Sequence, residues 1–138
     1  MVHTHKFRVV THGQGDAYDI TNRVATGVAA AGFQSGLVTI FVVGSTAAIT
    51  TIEFEPGAVH DFNRLLDQLA PRDAEYRHHL RWHDDNGSSH VRAALLGPSV
   101  TIPFVGGTMA LGQWQQIMLL ELDTRGRDRE IVAQVIGE

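Results

Sequence analysis

Apolar positions in this chain fall into short runs whose period switches between two and about 3.6 residues. Lys6 to Thr11 is short and β-branched, which predicts a first strand. Ile20, Val24 and Val28 recur at helical spacing, so a helix is expected over 22–31, capped by Thr21 and stopped by Gly32. Gly36 to Val43 (GLVTIFVV) is a continuous apolar run of strand length, broken at Gly44-Ser45. Ala47 to Glu55 resumes as a strand with Thr51, Glu53 and Glu55 on one face. Pro56-Gly57 opens a second helix to Leu69, with Val59, Phe62, Leu65, Leu66 and Leu69 as its apolar stripe, and Pro71 ends it.

The segment 72–88 shows no period, and a loop of that length is often functional. After it, Ser89 to Leu96 reads as a strand that puts His90, Arg92 and Ala94 on one face. Ser99 to Val105 and a Gly106-Gly107 turn follow. Trp114 to Asp123 is a strong strand, with Met118 and Leu120 on one face and Ile117 and Leu119 on the other. A charged turn over 125–128 leads to a last strand, Arg129 to Ile136. The pattern predicts about seven strands and two principal helices. The connections after His90 are too short for parallel crossovers, so the sheet is expected to be mainly antiparallel and the class α+β.

At 138 residues one domain over 1–138 is expected. The net charge of −4 argues against a general nucleic-acid partner, whose binding depends on neutralising phosphates. The absence of cysteine excludes disulfides, thiolate metal sites and cysteine nucleophiles. No apolar run reaches membrane-spanning length and the N-terminus lacks an apolar signal core, so no membrane partner and a cytoplasmic location are expected. Lys6 is the only lysine, which leaves arginine as the main cation for gripping an anion.

Chemistry-bearing residues concentrate between Arg81 and Gln115. His83 and His90, with a carboxylate from Asp84, Asp85, Glu53 or Glu55, are candidates to hold a divalent metal such as Zn²⁺ or Mg²⁺; solvated loop histidines are the plainer reading. His60, near the start of the second helix, joins them only if that helix start points at their loop. Arg92 beside His90 suits a phosphate or carboxylate. Gly44-Ser45-Thr46 is a candidate anion nest of backbone N–H groups and hydroxyls, with a hairpin turn as the alternative. Gln115, in an apolar strand, needs a hydrogen-bond partner, either structural or a ligand. The P-loop, GxSxG and GxGxxG patterns are absent, so a serine hydrolase or a dinucleotide enzyme is unsupported.

SHVRAALLGPSVTIPF, a glycine turn and LGQWQQI resemble the YjbQ-like family, also called the secondary thiamine-phosphate synthase family, whose members read SHIKSSLLG and GTWQ. SGLVTIFVVGSTAAITTIE is similar to its strand–HTSA–strand segment, EPGAVHDFNRLLDQLAP to its DP-V-RD helix, and IVAQVIGE to its ending. The resemblance implies a compact α+β fold assembled as a homotrimer. It also implies weak thiamine-phosphate synthase activity, joining a pyrimidine diphosphate to a thiazole phosphate. By position it assigns site roles to His83, His90, Arg92, Glu53 and Gln115. Three departures stand out: Gly44 replaces the histidine of HTSA, Ile52 the asparagine before Glu53, and Gln113 the usual threonine. A metal-dependent hydrolase of a small phosphorylated compound and a non-catalytic, homotrimeric small-anion binder stay open as alternatives.

Overall fold

The computed structural model describes residues 1–138 as three layers. The outer layer is a five-stranded sheet of β1 (Val2–Val10), β8 (Asp128–Gly137), β3 (Ser35–Val43), β5 (Ser99–Val105) and β6 (Thr108–Met109), in that order. The middle layer is a three-stranded sheet, β2 (Ala17–Asp19), β7 (Gln116–Glu121) and β4 (Ala47–Ile52), with helix α1 (Thr21–Ala31) beside it. Helices α2 (Pro56–Leu69) and α4 (Gly87–Leu96) cover the far face, and the short helix α3 (His78–Trp82) lies between them in the chain. Every strand pair is antiparallel, although the short-connection argument applies only to β5–β6, the one pair of strands consecutive in the chain.

The continuous apolar run in β7 follows from its place between two cores. Ile117 and Leu119 join the main cluster with Val38, Ile40 and Val135 of the outer sheet. Met118 and Leu120 face the second cluster, with Leu66 of α2 and Ala93 of α4. A strand buried on both faces cannot alternate in polarity. The outward face of the five-stranded sheet is uncovered in the single chain and leaves Leu37, Phe41, Val43 and Ile136 exposed. No helix is long and apolar enough to cross a membrane.

Three local expectations are corrected. The strand read over Ala47–Glu55 stops at Ile52, because Glu55 instead caps α2: its carboxylate accepts hydrogen bonds from the Gly57 and Ala58 N–H groups at 2.8 Å each. Those two bonds hold the Glu55 pKa below the usual carboxylate range. Thr21 opens α1 but does not cap it. Asp19 accepts from the Thr21 N–H, and Thr21 Oγ1 accepts from the Ile117 N–H, tying the helix to β7. Trp114 and Gln115 lie in the turn before β7 and not within the strand.

The largest correction concerns Ser89 to Leu96, which is helical. Its inward side carries Ser88, Ser89, Arg92 and Ala93, while Val91 and Leu95 are exposed. A buried face of serines and an arginine gives no apolar helical stripe, so the alternation of His90, Arg92 and Ala94 imitates a strand. On a helix, residues two apart point to opposite sides. His90 and Arg92 are therefore separated rather than aligned.

Candidate functional site

The polar hollow of the molecule opens where β3 turns into β4. It holds about 430 Å³. Gly44, Ser45 and Thr46 of that turn form one wall. Asn86, the N-cap of α4, and His90, one turn further on, form another wall, joined by His78, Trp82 and Asp84 from the α3 region. Asp123, Arg127 and Arg129, from the end of β7 and the start of β8, supply the charged floor.

That floor is built from the strand upward. Glu121 is the last residue of β7 and is fully buried. Arg129 donates from Nε to Glu121 Oε2 at 2.8 Å and from Nη2 to Glu121 Oε1, and Nη2 also donates to Thr46 Oγ1 at 2.8 Å. The Thr46 hydroxyl in turn donates a hydrogen bond to Asp123 Oδ2 at 2.9 Å. Asn86 Nδ2 and Arg127 Nε donate to the same oxygen at 3.1 Å each. Burial works to raise the Asp123 pKa, but the bonds from Asn86 and Thr46, the Arg125 N–H and the Arg127 charge outweigh it and hold the pKa at about 2.

Each arginine keeps one edge uncommitted. Nη1 of Arg129 and Nη1 of Arg127 donate to no group of the protein, and neither do the backbone N–H groups of Gly44, Ser45 and Thr46. Gly44 has φ of +144°, and a Cβ there would stand 2.7 Å from Arg129 Nη1. Glycine thus gives the guanidinium edge its room beside the turn. Because both arginines have carboxylate partners, the hollow is an array of fixed N–H donors and not a bare cationic patch.

The imidazoles meet at the rim. The rings of His78 and His90 have centroids 4.5 Å apart, tilted by 40°. His78 Nδ1 lies 3.3 Å from Asp84 Oδ1 but is not aligned as a hydrogen bond, and it is a buried nitrogen without another partner. Asp84 Oδ1 accepts instead from the Asn86 N–H. Gly87 lets the Tyr76 side chain pack directly on the start of α4, which sets the α3 segment against that helix.

The structure brings together only some of the residues singled out from the sequence. His90 and Gly44-Ser45-Thr46 share the hollow. His83 does not: it caps α3 at φ of +53°, exposed and outside the lining. Arg92 is buried on the other side of α4, where Nε donates to the Ala70 carbonyl and Nη2 to Asp67, so it ties α4 to the end of α2. Glu53 is exposed beyond the opposite end of β4. Gln115 faces a separate hollow, donating to Thr51 Oγ1 and accepting from the Gly112 N–H. His60 is exposed beside Asp61. No three histidines or carboxylates converge as a metal donor set, so the ligand set His83, His90 and His60 is not assembled within one chain.

Sequence reasoning missed His78, Asn86, Asp123, Arg127 and Arg129. One signal was available. The buried run MLLELD ends in two acids, and Arg127 and Arg129 follow within a few residues. Buried carboxylates need such partners.

Comparison with known proteins agrees with this architecture. Residues 5–138 match the family model described as UPF0047 protein YjbQ-like. A UPF0047 protein of Methanothermobacter thermautotrophicus is 36% identical over 137 residues, 99% of this chain and 94% of the relative. The crystal structure of a YbjQ-like protein of unknown function from Sulfolobus solfataricus superposes with a TM-score of 0.93 at 32% identity, covering 100% of this chain and 99% of that one. A hypothetical protein from Aeropyrum pernix gives 0.88 at 30% identity, with 98% of each chain covered. The chain belongs to the YjbQ-like UPF0047 family.

Proposed function

We propose that this member of the YjbQ-like family binds a small phosphorylated molecule with its anionic group in the hollow at the β3–β4 turn. One observation carries the reading: the free Nη1 edge of Arg129, in a guanidinium otherwise locked by Glu121 and Thr46, sits against a turn whose N–H groups have no acceptor. Pre-fixed donors of this kind suit a tetrahedral anion, because little order is lost when it binds. Arg127 Nη1 lies on the same floor, and the α4 N-terminus adds its positive dipole end beside Asn86 and His90. His78 and His90 can donate N–H groups from the rim.

The reaction implied by the family resemblance uses these groups. A thiazole nitrogen forms a bond to the methylene carbon of the pyrimidine diphosphate. The carbon–oxygen bond to diphosphate breaks, and pyrophosphate leaves with the electron pair. The catalytic task is to stabilise the charge that develops on the departing diphosphate, which is what Arg127, Arg129 and the turn N–H groups offer. With no metal donor set assembled in the chain, no step is assigned to a metal.

In this proposal the protein works as a homotrimer, with the apolar outer face of Leu37, Phe41, Val43 and Ile136 as the surface between copies. Pyrophosphate release from the two substrates tests the reaction. Release above that of an Arg127→Ala variant supports the synthase reading. Binding of phosphate without any turnover reduces it to a small-anion binder.

A further inference from the structure

The polar hollow has a neighbour of different chemistry. A second cavity of about 330 Å³ shares Gly44, Ser45 and His90 with the first. Beyond that shared wall its lining changes to Ala47, Ala93, Ala94 and Pro98. Polarity falls in the same direction along both sides. On the helix, Asn86, His90 and Ala94 stand four residues apart on one stripe of α4, so the wall passes from amide to imidazole to methyl over about 12 Å. Across from it, the chain passes from Thr46, which binds Arg129, to the buried Ala47.

We infer that the site takes a two-part ligand: a phosphate-type anion in the polar hollow, joined to a small uncharged and largely apolar body in the alanine-lined hollow, with Ala94 setting the size of that body. The inference rests on the anion reading above. It adds where the body attached to the anion lies and which residue limits its size. The alanine-lined hollow holds no charged side chain to neutralise a second phosphate or a cationic group. Its walls are methyl groups and a proline ring, which favour a flat ring or short branched chain through burial of apolar surface. His90, on the shared wall, stands at the junction where an ester oxygen would lie. It can hydrogen-bond that oxygen, while the hollow beyond offers little but van der Waals contact.

The probes are inorganic phosphate and phenyl phosphate, titrated calorimetrically against the whole protein. Phenyl phosphate is expected to bind about tenfold more tightly than phosphate and to compete with it. Ala94 is exposed, so larger apolar side chains there extend into the hollow without entering a core. Along the series Ala94→Val and Ala94→Leu, the advantage of phenyl phosphate should shrink stepwise to about twofold or less, while inorganic phosphate binding and the melting temperature hold. Equal affinity of wild-type protein for the two probes overturns the inference while leaving the anion reading intact. So does a tenfold advantage that survives in Ala94→Leu. Failure of both probes to bind overturns both.

Discussion

Arg129 and Glu121 form a forked ion pair inside the protein, with Nε and Nη2 of the guanidinium donating to the two carboxylate oxygens and both side chains almost wholly withdrawn from solvent. Their link through Thr46 to Asp123 makes the floor of the hollow part of the core. Removing one partner strands the other as a buried charge. Arg129→Ala is expected to destabilise the fold by about 3–5 kcal/mol in chemical denaturation. The double variant Arg129→Met, Glu121→Leu should recover only part of that loss: no charge is then left unpaired, but Thr11 Oγ1 and the Leu122 and Asp123 N–H groups lose Glu121 as their acceptor.

Asp123 gives the acid limb of stability a definite sign. Its folded-state pKa of about 2 lies below the ordinary value of 3.8, so the native state favours the ionised form. The resulting stability is fully present above about pH 4 and is lost as pH falls through 2, an effect of about 2 kcal/mol. Asn86→Ala removes a donor to Asp123 and should raise that pKa, flattening the dependence between pH 4 and 2 in urea titrations at fixed ionic strength.

Much of the fold was legible because most elements obey simple periods. β3, β5, α2 and the two-sided β7 follow from apolar runs and breakers alone. The helix α4 was not legible. Its buried face is Ser88, Ser89 and Arg92, so its hydrophobic pattern is inverted and His90-x-Arg92-x-Ala94 imitates a strand. The site was half legible for the same reason. His90 and Gly44-Ser45-Thr46 were found by residue type, whereas Arg127 and Arg129 became site residues only through folding of β8 beside β3. Pairing that distant in sequence leaves only the indirect trace of two buried acids, Glu121 and Asp123, that need cationic partners nearby.

Arg92 illustrates the consequence. Placed on a strand with His90 it reads as an anion ligand; on α4 it is a clamp on the Ala70 carbonyl and Asp67. Arg92→Ala should cost about 2 kcal/mol of stability through the unsatisfied carbonyl. Phosphate affinity of the folded protein should change by less than about twofold, since the side chain lies outside the hollow. Thermal unfolding and calorimetry on the same sample separate the two effects.

Gly44 should not tolerate a side chain. At φ of +144°, with Arg129 Nη1 2.7 Å from where a Cβ would lie, Gly44→Ala combines backbone strain with displacement of the guanidinium. We expect a loss of about 1–3 kcal/mol in stability together with weaker anion binding. Retained stability and unchanged binding would show that the turn and Arg129 are not coupled.

The outer sheet face gives a prediction about assembly. Phe41 stands on it among Leu37 and Val43, exposed in the single chain. Light scattering should report a trimer for the wild-type protein and smaller species for Phe41→Arg, because a charge at the centre of an apolar interface is costly to desolvate.

In our proposal the β3–β4 hollow is an anion site whose donors include Arg127 and His90. The decisive measurement is calorimetric titration of pyrophosphate into wild-type protein, Arg127→Ala and His90→Ala. Saturable one-site binding to wild-type protein is expected, weakened by about tenfold or more in each variant with the fold intact. Absence of binding to the wild-type protein, or equal binding by all three, contradicts it.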